Sequence, residues 1–151
     1  MCRSAACLAI VSLARISSEA IAQPTRSPGA IVFETVLEPQ GPFNEMSLKL
    51  EAWPGGRWFR DLGNNAGHLW GHVQVIKPPK LLEINGPMMM SYAVASHLQY
   101  RLTEEAAGTR LTVTHQAIGL ITAQHMEGVT KGWDSIADAI KAAAETKSAK
   151  R

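Results

Sequence analysis

The sequence predicts an α+β domain in which a curved antiparallel sheet wraps a long C-terminal helix. Three observations carry this reading. Short segments of alternating polar and apolar residues follow one another closely between Met46 and Ala117, the period of strands with one buried face. The breaks between them are short and rich in Gly, Pro and Asn, as hairpin connections require. Beyond them the period changes. Val129, Trp133, Ile136, Ile140 and Ala144 recur at helical spacing, with no Pro or Gly after Trp133, which makes one long amphipathic helix with a single buried stripe.

The elements follow in order. Residues 1–22 read in two ways. Arg3, the apolar run 5–14 and Ala20-Ile21-Ala22 fit the three parts of a secretory leader, although Arg15 and Glu19 interrupt it. Alternatively, the weak alternation over 17–23 supplies the first strand of the domain. Ser27-Pro28 is a helix start, because Ser caps free backbone N–H groups and Pro suits the first helical position. The helix runs over Ile31, Val32, Phe33, Val36 and Leu37 until Pro39, Gly41 and Pro42 end it. Strands are then expected near 46–53, 57–61, 69–77, 81–85, 97–104 and 109–117. Pro54-Gly55-Gly56, the run 63–67, Pro78-Pro79, Gly86-Pro87 and Ala106-Ala107-Gly108 turn the chain between them. Leu98, Tyr100 and Leu102 share one face of the fifth of these strands, and Leu111, Val113 and His115 share one face of the sixth. An apolar sheet face must be covered, and the C-terminal helix is the one element long enough to do so. Side chains do not fill a wide concave surface everywhere, so a cavity between sheet and helix is expected.

Composition narrows the function classes. A chain of 151 residues suits one domain, which at this size buries roughly 70% of its unfolded surface without metal or disulfide staples. Its net charge is +2, and Lys147, Lys150 and Arg151 supply much of the excess in a tail. No basic stripe marks a nucleic-acid surface. The two cysteines are Cys2 and Cys7, so the body of the chain holds neither a disulfide framework nor a Cys-based zinc site. The apolar run near the N-terminus falls short of the ~20 residues of a membrane span.

Few residues carry chemistry. His68 and His72 form an HxxxH pattern, but on a strand four residues span roughly 13 Å, too far for one ion. No phosphate loop, nucleophile elbow or cofactor motif is present, so neither a metal nor a cofactor is expected. His115 lies on the face expected to point inward, either as a satisfied core residue or as a polar group lining the cavity. Trp58, Trp70, Tyr100 and Trp133 supply large aromatic surfaces, as core packing or as a wall for an apolar or aromatic ligand. Met88, Met89 and Met90 offer a pliable rim or plain filler. The alternation around His72 leaves open which face of its strand points inward. Asp61, Glu83, Glu104 and Glu105 form no acid pair.

The sequence Trp-Pro-Gly-Gly-Arg-Trp-Phe-Arg-Asp-Leu-Gly at 53–63, followed by Gly-His-Leu-Trp-Gly-His-Val-Gln-Val-Ile-Lys-Pro-Pro-Lys-Leu-Leu-Glu-Ile at 67–84, resembles the SRPBCC superfamily. Within it, the chain is similar to the branch named for activators of the heat-shock chaperone ATPase. The residues 97–103, the hairpin 108–115 and the closing Gly132-Trp133 helix match the same branch, and the resemblance covers about 28–145. It implies a helix-grip (START-like) fold with an internal hydrophobic cavity. Relatives include lipid carriers, polyketide cyclases and aromatase-like proteins. The branch shares no catalytic residues, so none is carried over, and the chaperone role in its name is not transferred.

The leading expectation is a non-catalytic module that binds a small apolar or aromatic molecule, with Trp58, Tyr100, His115 and Trp133 lining the pocket and His115 as its polar anchor. A cyclase- or hydrolase-type enzyme with His115 or His72 as general base is the second reading. A chaperone-associated or homodimeric interaction protein is the third. The domain is expected to span 17–147, between an N-terminal extension or leader (1–16) and a basic tail (148–151). Cleavage after Ala22 would remove most of an edge strand at 17–23, which favours an intact cytoplasmic chain over an exported one.

Overall fold

The computed structural model describes residues 6–12, 27–38, 48–88 and 93–150. They form a helix-grip fold: a seven-stranded antiparallel sheet and two helices, α1 (Pro28–Leu37) and α2 (Ala123–Ala149). The strands are β1 (Ala6–Ser12), β2 (Leu48–Leu50), β3 (Arg57–Gly63), β4 (Ala66–Lys77), β5 (Leu81–Gly86), β6 (Val94–Glu105) and β7 (Gly108–Gly119). Strands β2 to β7 run as a meander, and β1 closes on β7 to give the order β1-β7-β6-β5-β4-β3-β2.

The first strand lies at Ala6–Ser12, paired along its length with β7. It falls inside the apolar run that also fits a leader core. The stretch 17–23, the other candidate for that strand, lies outside the described residues, as do Met89 and Met90.

Local chemistry sets the element ends. Ser27 caps α1, its Oγ accepting from the Ala30 N–H at 3.3 Å, and Thr122 caps α2 by accepting from the His125 N–H at 3.2 Å. Asn64 and Asn65 both adopt positive φ in the β3–β4 turn. The loop expected over 63–67 is thus a two-residue hairpin, whose left-handed positions Asn tolerates.

Strand β4 departs from simple alternation. Its pairing shifts register against β3 at Trp70 and against β5 at Gln74. Each extra residue is a bulge, which bends a strand and increases its twist. The bulges also resolve which face is inward: Trp70, Val73 and Ile76 all reach the core side, while His72 and Gln74 face solvent. Between the bulges, β4 and β5 approach so closely that a Cβ on Gly86 would stand 2.4 Å from the Gly71 Cα.

The core joins the inner sheet face to both helices. Leu82, Ile84, Leu98 and Leu111 meet Val32, Phe33, Trp133, Ile136 and Ile140 there, all buried. The helical stripe read from sequence is the buried face of α2, with Val129 partly buried beside it. Helix α1 packs on α2, and Lys147 Nζ meets Glu38 Oε2 at 2.7 Å where the two helices end.

Candidate functional site

The cavity arises where inner side chains become small. Along β6 the inner face runs Leu102, Tyr100, Leu98 and then Ser96, and along β7 it runs Leu111, Val113, His115 and then Ala117. Gly86 pairs with Ser96, and Ser96 with Ala117. This row of Gly, Ser and Ala cannot reach the helix above it. The result is a cavity of about 800 Å³ between the sheet and the first half of α2.

Its walls come from the end of β5, the start of β6, the end of β7, Ile121 and one side of α2, where His125, Met126, Val129, Thr130 and Trp133 face it. Among the described residues no Asp, Glu, Lys or Arg lines it. Ile118, 77% exposed, stands on its rim with Leu120 nearby, so the mouth is apolar too.

Two of the four residues expected at the site are there. His115 and Trp133 line the cavity and touch each other: Trp133 Nε1–H donates to His115 Nδ1 at 3.0 Å, with the rings edge to face. Trp58 and Tyr100 are elsewhere, in the packed core. Trp58 stacks edge-on against Trp70 at 5.1 Å between ring centres. Tyr100 lies behind Trp133, at 6.3 Å, and burial pushes its phenol well above the ordinary tyrosine range. Trp58 and Tyr100 border a residual crevice of only about 30 Å³. Met88 is buried in the core, its N–H bonded to the Trp70 carbonyl at 2.7 Å.

The His115–Trp133 contact fixes a protonation state. An indole N–H only donates. His115 Nδ1 must therefore be the bare nitrogen, and Nε2 carries the proton. A doubly protonated ring would set two N–H groups against each other. Burial, and then the nearby His125, hold the His115 pKa below the usual histidine value, in the same direction as this geometry.

His72 is exposed on the outer side of the β3–β4 hairpin, with Nδ1 3.2 Å from the Gly55 carbonyl, and is not a cavity residue. Among the described residues no group of three His, Cys, Asp or Glu side chains could hold a metal ion, and no helix is long and apolar enough to cross a membrane.

Sequence reasoning missed Ser96, Ala117, His125 and Met126. The signal for Ser96 was present: the alternation of Leu102, Tyr100 and Leu98, extended by two residues, places a serine on an apolar face.

Residues 27–145 match the family model described as Activator of Hsp90 ATPase homolog 1-like protein. The chain belongs to this family. The fold agrees with solved structures of low sequence identity. Protein MLL2253 from Mesorhizobium loti is 13% identical, with a TM-score of 0.68 over 95% of this chain and 98% of that one. CalU16 from Micromonospora echinospora is 24% identical, with a TM-score of 0.53 over 76% of this chain and 66% of that one. DynU16, from the dynemicin biosynthetic locus, is 19% identical, with a TM-score of 0.61 over 94% of this chain and 47% of that one. No curated protein matches the chain in sequence.

Proposed function

We propose that this activator-like domain binds one small, uncharged apolar or aromatic molecule in the cavity beneath α2, without catalysing its conversion. The observation that carries the reading is the cavity itself. Its volume of about 800 Å³ lies within the range of small-molecule sites, roughly 300–1,000 Å³. Its lining is mostly apolar, with a few polar side chains and, among the described residues, no Asp, Glu, Lys or Arg. An ionic ligand would lose its hydration there without gaining a counter-charge.

The His115 tautomer supports binding over catalysis. Its Nε2 already carries a proton, so it cannot take one from a substrate, and Nδ1 is occupied by Trp133. His115 and Trp133 form one wall, and Tyr100 supports Trp133 from behind.

Native mass spectrometry of the purified chain, before and after mild organic extraction, tests this directly. A small molecule carried by the folded protein and released on extraction is the expected result. For protein that emerges empty, phenylnaphthylamine is the probe. Its fluorescence should rise saturably with one site per chain, and Ala117→Phe, which fills the cavity floor, should abolish the rise. A probe response that Ala117→Phe leaves intact would overturn the reading.

A further inference from the structure

The row of small residues that opens the cavity also leaves two polar atoms stranded. Ser96 Oγ and His115 Nε2 are buried without a hydrogen-bond partner among the described residues. Both residues line the cavity, and Ser96 is only 6% exposed. They lie on adjacent strands and on the same inner face. Ser96 opposes Ala117 and His115 opposes Leu98, which makes them diagonal neighbours, roughly 7–8 Å apart along the backbone. The two side chains thus rise from neighbouring positions on one wall of the cavity.

Buried polar groups nearly always find a partner, and one left unmade is unfavourable. Both stranded groups can donate. His115 Nε2 holds its hydrogen because Trp133 occupies the other ring nitrogen, and a serine hydroxyl rotates to suit its neighbour. We propose that Ser96 and His115 form a two-donor subsite for a carbonyl oxygen, so that the preferred occupant is an uncharged ketone- or ester-type molecule with an apolar or aromatic body. This rests on the cavity being a binding site.

Other headgroups fit less well. A carbonyl oxygen has two lone pairs and accepts from both donors at once. A hydrocarbon leaves both groups stranded. A carboxylate meets no Lys or Arg among the described residues of the lining, and His115 cannot gain a proton without losing its bond from Trp133. Ser96 is not an activated nucleophile either, since the histidine nitrogen that is free of Trp133 already holds a proton.

The test is a matched pair of probes, methyl β-naphthyl ketone and β-ethylnaphthalene, titrated calorimetrically into the full chain and into Ser96→Ala. The chain should bind the ketone about tenfold more tightly than the hydrocarbon, the worth of roughly one to two net hydrogen bonds. Ser96→Ala should lose most of that preference and keep its affinity for the hydrocarbon. In the infrared, the carbonyl stretch of the bound ketone should lie at lower frequency in the wild-type chain than in Ser96→Ala, and Ser96→Thr, which keeps a hydroxyl, should restore it. Equal ketone preference in wild type and Ser96→Ala, or an unmoved carbonyl stretch, would overturn the subsite and leave the cavity reading standing. Failure of both probes to bind would overturn the cavity reading and the subsite with it.

Discussion

The two halves of α2 lie on one sheet and meet it differently. The C-terminal half sets Ile136, Ile140 and Ala144 against large inner residues and α1, and the crevice left there is only about 30 Å³. The N-terminal half faces Gly86, Ser96 and Ala117, and about 800 Å³ stays open. The helix runs through both halves, so side-chain size on the strands decides which part of the interface is core and which is site. Trp133 stands at the boundary, packed on Tyr100 at one edge and bonded to His115 at the other.

The largest effect should come from truncation in the packed half. Ile140 is 2% exposed, and Ile140→Ala should lower unfolding free energy by about 2–5 kcal/mol, since it loses apolar burial and leaves a void. Val129→Ala, on the cavity wall, should cost clearly less, because the space beside it is already open. Urea unfolding of the two variants measures the contrast. Equal losses would mean that the two halves are packed alike.

Next in size is the boundary itself. His115→Phe leaves the Trp133 indole N–H without an acceptor, an unmade buried bond that costs about 1–3 kcal/mol. The same variant tests a pH effect. The His115 pKa in the folded chain is lowered by burial and by His125, whereas the unfolded chain has the ordinary value of about 6.5. The unfolded state therefore binds more protons in the window just below that value. Stability should be fully present above pH about 6.5 and should fall as pH drops below it, towards the folded-state pKa. Urea midpoints measured from pH 8 down to pH 5 should show this decline in the wild-type chain and a shallower one in His115→Phe. Parallel curves would remove His115 as its source.

The same contrast explains what was legible in the sequence. The helical stripe of α2 and the inner faces of β6 and β7 follow simple periods, and the structure keeps them. The inward face of strand β4 was illegible because bulges at Trp70 and Gln74 break the two-residue period, and no residue type announces a bulge there. Trp58 and Tyr100 were drawn to the site by their size, yet size is what places them in the packed half. Cavities are lined where side chains are small, so Gly86, Ser96 and Ala117 were the informative residues. Their smallness becomes a pattern only when strand register places them in one row.

The smallest expected effect is also the one of opposite sign. Ser96 Oγ is buried and unpartnered, so in the ligand-free chain it contributes desolvation without a compensating bond. Ser96→Ala removes that hydroxyl, adds no volume and leaves the β6 ladder untouched. It should leave the urea midpoint unchanged or raise it, by up to about 1 kcal/mol in stability. A serine that served only the fold would show the reverse, a loss on replacement. A ligand-free chain that is no less stable without its Ser96 hydroxyl would place that group among the residues kept for what enters the cavity, and a clear destabilisation would return it to the packed half of the molecule.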